Sequence, residues 1–212
     1  MSNQSIIAPN LVKRALRRGQ TVLGTMVAEM RQPSVMQLLA NAGFDFAIID
    51  NEHGPFNIET IAILSQAAKG VGVTPLVRVP DLTYAHLAQA LDAGAQGIML
   101  PRVRSAAQVR EAVQIMKYPP QGSRGCALNR GHTDFKSGPV AEAIAAANEE
   151  TMLIVQVETR QALAELDEIV AVAGVDVILV GPTDLSISLG VPGELNHPAM
   201  QAAIEQVIAV CQ

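Results

Sequence analysis

Three similar stretches decide the fold: residues 42–50 (AGFDFAIID), 93–101 (AGAQGIMLP) and 173–181 (AGVDVILVG). Each stretch starts with an Ala-Gly pair, passes a polar or turn residue, and then enters a short apolar run. The glycine is expected to end a helix in the left-handed conformation, and the apolar run is typical of a strand. Repetition of this unit predicts a parallel sheet made of successive αβ units.

The apolar runs predict six strands, at residues 21–27, 46–50, 75–79, 97–101, 153–158 and 177–181. Several are apolar at nearly every position, which is typical of parallel strands covered on both faces. Because no Pro/Ser/Gly-rich linker divides the chain, we assign residues 1–212 to one α/β domain, a TIM-type (β/α)8 barrel. A closed barrel needs eight strands, so we expect the last one or two βα units to be missing from this chain.

Capping residues predict where several helices begin. Asn57 is expected to cap the helix after the second strand. Ser105 with Gln108 predicts a capping box. Thr159 is expected to cap a helix that runs towards Gly174.

The bulk composition disfavours several classes of protein. The chain carries 15 Lys and Arg against 20 Asp and Glu without a basic block, so the electrostatic footprint of a nucleic-acid binder is missing. The first ten residues, MSNQSIIAPN, lack the features of a signal peptide, and no apolar run is long enough to span a bilayer. We therefore expect a cytoplasmic protein in which Cys126 and Cys211 are reduced thiols.

Two carboxylates follow neighbouring predicted strands at their carboxyl ends, where α/β barrels hold their active sites. Glu158 ends the fifth strand and Asp184 comes just after the sixth. Such a pair, with water in the open positions, suits Mg²⁺ or Mn²⁺. The alternative is that both are surface carboxylates or helix caps.

A candidate anion-binding arginine and a candidate general base lie at the same ends. Arg78 ends the third strand, where its guanidinium would grip a substrate carboxylate or serve as a structural ion-pair partner. His53 follows Asp50 by three residues, so the carboxylate is expected to orient the imidazole as a general base. A lone histidine is otherwise a core or loop residue.

Absent motifs narrow the chemistry further. The chain has no GxGxxG after its first strand, no GxxxxGK[ST] and no GxSxG, which disfavours dinucleotide, nucleotide and serine-hydrolase chemistry. No lysine lies within a predicted strand, which disfavours a Schiff-base aldolase. The remaining prediction is a metal-assisted lyase or isomerase.

The segments that carry these residues closely resemble the HpcH/HpaI aldolase family, which includes 4-hydroxy-2-oxoheptanedioate and 2-dehydro-3-deoxyglucarate aldolases. In the family's order they are GFDFAIIDNEHGP, PLVRVP, LDAGAQGIMLPRV, YPPQGSRG, VQVETR and GPTDLS followed by LG. The resemblance implies a metal-dependent (class II) aldolase that cleaves or forms 4-hydroxy-2-oxo acids through a pyruvate enolate. It implies a divalent cation (Mg²⁺, Mn²⁺ or Co²⁺), and a 2-oxo acid and an aldehyde as substrates.

The resemblance also implies roles for individual residues. Glu158 and Asp184 match the metal carboxylates of the family, and Arg78 matches an arginine that contacts the pyruvyl oxygens. His53 with Asp50 matches an acid/base pair.

Further residues match the substrate pocket. Gln156 would line it, and the backbone of Pro182 and Thr183 would bind the pyruvate carboxylate, although many members carry Ala in place of Thr183. Asp92 matches an aspartate near a subunit contact at the site. The family pattern implies a homo-oligomer, a hexamer, with two further strands and a swapped terminal helix after the point where this chain ends.

Two other functions fit the same residues. Decarboxylation of oxaloacetate also yields pyruvate enolate, so an oxaloacetate decarboxylase or a macrophomate-synthase-like enzyme would use the same metal and arginine. A truncated subunit without turnover is the third interpretation, motivated by the early end of the barrel pattern.

Overall fold

The computed structural model describes residues 5–212, which form a single parallel β-sheet with α-helices between its strands. Residues 1–4 lie outside the described residues, and so does this part of the N-terminal stretch that lacks the features of a signal peptide. The strands are β1 (Gly24–Val27), β2 (Phe46–Asp50), β3 (Thr74–Arg78), β4 (Gly97–Leu100), β5 (Met152–Val157) and β6 (Val177–Val180). The helices are α1 (Leu11–Arg17), α2 (Ser34–Asn41), α3 (Ile58–Gly70), α4 (Tyr84–Ala93), α5 (Ala106–Met116), α6 (Val140–Glu150), α7 (Arg160–Ala164), α8 (Leu166–Val170), α9 (Pro182–Leu189) and α10 (Pro198–Cys211).

The sheet confirms the six predicted strands and corrects the predicted barrel. The strands lie in the order β1-β2-β3-β4-β5-β6, and every neighbouring pair is parallel. β2 has the predicted bounds, and the bounds of the other strands differ by one to three residues, most at β1, which starts at Gly24 and not at residue 21. Over residues 5–212 the sheet is a curled six-stranded half-barrel and not a closed eight-stranded barrel.

The two faces of the sheet are buried by different partners. Alternate residues point inward and form a cluster with α1, whose members include Ile48, Leu76, Met99, Met152, Ile154 and Val12. The residues between them point outward into the core beneath the outer helices, as do Ile49, Val77, Ile98, Leu153 and Val155. Burial of both faces explains why these strands are apolar at successive positions.

The short helix α1 closes the amino end of the half-barrel. Fully buried Asn10 caps α1 by accepting from Lys13 N at 2.9 Å, and its Nδ2 donates to the carbonyls of Gln96 and Glu150 at 3.0 and 3.1 Å. The Lys13 ammonium donates to the carbonyl of Thr151 at 2.9 Å. Polar bonds therefore fix the apolar face of α1 against the inner face of the sheet.

The three glycines of the repeated stretches are left-handed, and two of them end a helix as expected. Gly94 caps α4 and Gly43 directly follows the cap residue of α2, whereas Gly174 lies in a turn four residues after the end of α8. Gly43, Gly94 and Gly174 have φ values of 84°, 117° and 107°. At Gly94 a Cβ would also meet Gln66 Nε2 at 2.8 Å, so both backbone conformation and space favour glycine there. The predicted caps at Asn57 and Ser105 are confirmed too, as each accepts from the amide three residues on.

Two helix predictions need correction. Gln108 does not complete the capping box, because its side chain accepts from Arg104 N and not from the amide of the cap residue. The helix capped by Thr159 is interrupted at Glu165 (φ −104°, ψ 19°), where it divides into α7 and α8. The Glu165 carboxylate accepts from Ala106 N at 2.9 Å, so it serves the neighbouring helix α5.

Within residues 5–212, no helix combines the length and the apolar character needed to cross a membrane. Cys126 and Cys211 are free and exposed, in agreement with the expected thiols.

Replacing Asn10 tests the attachment of α1. Asn10→Ala should lower the free energy of unfolding by roughly 2–4 kcal/mol, since it removes a helix cap and leaves a buried carbonyl without a partner. The matched control is Asn57→Ala, an exposed cap whose loss should cost about 1 kcal/mol. Denaturant unfolding of both variants measures the difference. Equal losses would show that the buried bonds of Asn10 add nothing to its capping role.

Candidate active site

At the carboxyl ends of the strands, the inner face of the sheet carries polar side chains. Nearer the amino ends, the same face carries the apolar side chains that pack on α1. Two residues beyond Ile48 and Leu76, the same face reaches Asp50 and Arg78, which are register partners on β2 and β3. Two and four residues beyond Ile154 it reaches Gln156 and Glu158. Strand alternation therefore brings together four of the predicted site residues, Asp50, Arg78, Gln156 and Glu158.

A buried ion-pair cluster holds Arg78. Its Nε and Nη2 donate to the two carboxylate oxygens of Asp50 at 2.9 and 2.7 Å, and Nη1 lies 3.2 Å from Glu52 Oε2. The exposed fractions of the side chains are 12% for Arg78, 3% for Asp50 and 8% for Glu52. A guanidinium has five N–H donors, so these contacts leave two of them for another ligand.

Burial and charge act in opposite directions on this cluster. Burial would raise the pKa of Asp50, but the hydrogen bond and charge of Arg78 outweigh it and hold the pKa below its ordinary value. The pKa of Glu52 is raised, because burial outweighs the charge of Arg78 there. Burial would lower the pKa of Arg78, yet the two carboxylates raise it. The guanidinium is thus a permanent cation fixed by Asp50.

The expected pairing of His53 with Asp50 is not what the structure contains. Asp50 Oδ1 accepts from the backbone amide of His53 at 3.4 Å, while the carboxylate is occupied by Arg78. The imidazole is 68% exposed, and its Nε2 lies 3.9 Å from Glu52 Oε2. Asp50 therefore orients Arg78, and Glu52 is the acidic group beside the ring.

Glu158 is a buried carboxylate fixed from two sides. Its Oε1 accepts from Arg102 N at 2.5 Å, and its Oε2 accepts from Gln156 Nε2. Gly181, which directly follows β6, lies against this pair, and a Cβ there would lie 2.6 Å from Glu158 Oε2 and 2.7 Å from Gln156 Nε2. Glycine at position 181 is therefore required for the two side chains to keep this position.

Glu158 and Asp184 face one open cleft of about 360 Å³, which is also lined by Glu52, His53, Arg102, Arg104, Thr159, Ile187 and Ser188. No lysine lines it, in agreement with the sequence prediction. Burial raises the pKa of Glu158, and the charges of Glu52 and Asp184 raise it further, against the hydrogen bond from Arg102 N. The carboxylates thus concentrate negative charge here.

The donor atoms of the cleft fit a hard divalent cation. Glu158 and Asp184 contribute carboxylate oxygens to the cleft. Gln156 does not line the cleft, but its amide donates to Glu158, and its buried Oε1 has no hydrogen-bond partner among residues 5–212. Oxygen donors of this kind suit Mg²⁺ or Mn²⁺, with water in the remaining positions. In the same part of the chain, no cluster of three or more His, Cys, Asp or Glu side chains is arranged as a metal site.

The amino end of α9 lies at the same cleft. Pro182 and Thr183 form its first turn with Asp184, and all three are exposed. Because the first amides of a helix have no partner within it, the N–H of Thr183 is available to an anion.

Asp92 lies away from the cleft. It is near the end of α4, which leads through Gly94 to the amino end of β4, opposite the carboxyl ends that form the cleft. Its carboxylate pairs with Arg124 and lies 3.9 Å from His132 Nδ1. Within one chain, Asp92 therefore does not contact the other predicted site residues.

Several residues of the cleft were not selected as site residues from the sequence, and two of them, Glu52 and Arg102, contact the charged residues that were. Glu52 belongs to the IDNEH segment, and its signal was its position between Asp50 and His53. Arg102 follows β4 in the segment LPRVR with a left-handed φ of 56°, and its backbone amide binds Glu158. The position of Arg102, just after an apolar strand, was the available signal.

Comparisons with known proteins agree with this geometry. A family model described as HpcH/HpaI aldolase/citrate lyase matches residues 25–212. The 4-hydroxy-2-oxo-heptane-1,7-dioate aldolase of Escherichia coli is 38% identical over 201 residues, or 94% of this chain and 75% of the relative. The hydroxypyruvate/pyruvate aldolase of Roseobacter denitrificans is 38% identical over 204 residues, or 94% and 77%. A crystal structure of an HpcH/HpaI aldolase from Desulfitobacterium hafniense superposes with a TM-score of 0.92 at 39% identity, covering 96% of this chain and 78% of the other.

Replacing Asp50 tests its role as the anchor of Arg78. Asp50→Asn should lower the free energy of unfolding by roughly 2–4 kcal/mol, because it leaves a buried guanidinium with Glu52 alone. Since the folded-state pKa of Asp50 is lowered, its stabilisation is complete above about pH 4 and is lost as the pH falls through that pKa. The difference in free energy of unfolding between wild type and variant should therefore shrink as the pH falls.

The control is Asp81→Asn, which breaks the exposed pair with His86 and should cost less than about 1 kcal/mol. Denaturant unfolding at several pH values measures both. A loss at Asp50 no larger than at Asp81 would contradict the anchoring role.

Proposed function

Since this chain belongs to the HpcH/HpaI aldolase/citrate lyase family, we propose that it is a class II aldolase that cleaves or forms 4-hydroxy-2-oxo acids. Pyruvate or a close 2-oxo acid is the nucleophilic partner, and an aldehyde is the electrophile. The match of the family model over residues 25–212 confirms the resemblance found in the sequence. The relatives named above are aldolases at the same 38% identity, which supports a carbon–carbon lyase.

One observation carries the metal-dependent mechanism. Glu158 is a buried carboxylate of raised pKa that faces the same cleft as Asp184, and the charge of Asp184 raises its pKa further. A second negative charge held beside a buried carboxylate is unfavourable unless a cation balances the two. We assign Glu158 and Asp184 as the residues that hold a divalent cation, with Mg²⁺ and Mn²⁺ as the first candidates and Co²⁺ as the third.

Each other group has a separate task in the reaction. When bound, the cation supplies positive charge beside the oxygens of the 2-oxo acid, where negative charge develops as the carbon–carbon bond breaks. The two remaining N–H groups of Arg78 donate towards those oxygens and stabilise the same charge. The amide of Thr183 binds the carboxylate of the 2-oxo acid.

His53 is the group that transfers the proton. In the cleavage direction its imidazole accepts the proton of the 4-hydroxyl group, directly or through a water molecule, and returns it in the addition direction. The exposed position of the ring is suited to this task, because the hydroxyl belongs to the outer part of the substrate. Glu52, 3.9 Å from Nε2, stabilises the imidazolium that forms.

The expected homo-oligomer and the cytoplasmic location remain predictions. Asp92 lies at the amino end of its own half-barrel, so a role for it at an active site requires a second copy of the chain.

Metal removal tests the proposed function. Aldol cleavage of a 4-hydroxy-2-oxo acid should be abolished by a chelator and restored by Mg²⁺ or Mn²⁺. Glu158→Gln should weaken metal binding and raise the melting temperature of the metal-free protein, because it removes a buried charge at nearly constant shape. The folded-state pKa of Glu158 is raised, so the wild type should lose more stability than the variant as the pH rises through that pKa.

The control is Glu168→Gln, an exposed carboxylate on α8 outside the cleft, which should leave metal affinity unchanged. Calorimetric titration with Mn²⁺ and thermal unfolding provide the measurements. Full cleavage activity in exhaustively demetallated protein would contradict the metal-dependent mechanism.

Replacing His53 separates proton transfer from charge stabilisation. His53→Ala should slow aldol cleavage by roughly 10²–10⁴-fold, the usual contribution of a positioned acid/base group. Decarboxylation of oxaloacetate should fall much less, because that substrate has no hydroxyl group to deprotonate. Asp50→Asn should slow both reactions, since it disturbs Arg78 and not the imidazole.

Initial rates of both reactions on both variants decide this, with His86→Ala as a histidine control outside the cleft. Equal losses of the two activities in His53→Ala would mean that the imidazole acts on the enolate or on the fold. A wild-type enzyme that decarboxylates oxaloacetate but cleaves no hydroxy-oxo acid would favour the decarboxylase alternative.

A further inference from the structure

The loop between β4 and α5 presents two arginines whose side chains have no part in the mechanism above. Arg102 and Arg104 are both exposed. Among residues 5–212, neither guanidinium forms a salt bridge with a carboxylate. Two unpaired cations beside a cleft that is rich in carboxylates require an explanation.

The backbone of this loop is fixed although its arginine side chains are not paired. Arg102 N donates to Glu158 Oε1 at 2.5 Å, and the Val103 carbonyl accepts from Thr159 Oγ1 at 2.8 Å. Arg104 N donates to Gln108 Oε1 at 2.8 Å. The loop backbone that carries both arginines is therefore attached to the buried carboxylate and to the residue that follows it.

The same two arginines separate two clefts. One is the candidate active-site cleft, and the other has a volume of about 350 Å³ and is also lined by Pro80, Asp81, Leu82, Leu100, Pro101, Val103 and Gln108. Arg102 and Arg104 line both. The acidic group of the second cleft, Asp81, is already paired with His86 at 2.6 Å. A substrate that extends from the first cleft to the second must pass these two guanidinium groups.

We propose that Arg102 and Arg104 determine the specificity for the aldehyde partner, and that they select an aldehyde whose far end carries an anionic group. This inference rests on the proposed aldolase function and adds the substrate class. Planar guanidinium groups bind carboxylates and phosphates in a bidentate manner, so either anion has the required chemistry. The buried cluster around Arg78 holds the 2-oxo acid, and the loop arginines hold the other end of the product.

The test compares matched aldehydes in the addition of pyruvate. One pair is succinic semialdehyde and its neutral amide, and the other is glyceraldehyde 3-phosphate and glyceraldehyde. The measured quantity is the ratio of kcat/KM for the anionic member to that for the neutral member. Wild type should favour the anionic member by at least about tenfold in one pair, and that pair identifies the anion.

Substitution assigns this preference to the loop. Arg102→Gln and Arg104→Gln should each lower the ratio, by roughly tenfold for the stronger contact, and Arg102→Lys should retain part of it. Arg110→Gln, an exposed arginine on α5 that lines neither cleft, is the control and should leave the ratio unchanged. Thermal unfolding verifies that the variants are folded. A general loss of turnover lowers kcat/KM for both aldehydes equally, so it leaves the ratio unchanged.

Failure of this inference differs from failure of the proposed function. If wild type neither exchanges the methyl protons of pyruvate with solvent nor adds pyruvate to any of the four aldehydes, the proposed aldolase function is wrong. The specificity inference, which rests on that function, is then wrong as well. If wild type does both but shows no preference in either pair, only the specificity role is overturned. A preference that survives in both glutamine variants overturns it as well.

Discussion

Everything at the site depends on the alternation of side chains along strands that are buried on both faces. On the inner face, apolar residues such as Leu76 and Ile154 pack on α1 at the amino end. The same face continues to Arg78 and Glu158 at the carboxyl end. A shift of one residue in β2, β3 or β5 would move a site residue into the outer core, so the packing of the sheet and the position of the site are specified together.

The site is stabilised and destabilised by the same burial. Asp50 and Arg78 form a buried pair in which each charge is satisfied by the other. Glu158 receives only neutral donors, from Arg102 N and Gln156, and its ionised form is disfavoured. The proposed cation site explains this cost, since a carboxylate already neutralised by an arginine would bind a metal ion weakly.

The loops that carry the remaining groups are attached to this buried part. The β4–α5 loop is held by Glu158 itself, and Gly181 at the end of β6 leaves room for the Glu158–Gln156 pair. A change in substrate can therefore arise from exposed side chains such as those of Arg102 and Arg104, while the buried charges stay in place. This division between a constant interior and a variable rim is typical of barrel enzymes.

Much of this protein could be predicted from the sequence. The glycine-terminated helices, six parallel strands and carboxylates at strand ends are local patterns, because each depends on a few neighbouring residues. The partners of those side chains were not local. Asp50 is three residues from His53 in the chain, yet it bonds Arg78, which the register of β2 and β3 sets directly beside it. Arg102 likewise joins the site through a backbone bond to Glu158, 56 residues away. By itself the sequence determined the fold class and most residues of the site. Only the tertiary structure decided which charges neutralise one another and that the sheet over residues 5–212 is a half-barrel and not a closed barrel, because hydrogen bonds between strands act between residues that are distant in the chain.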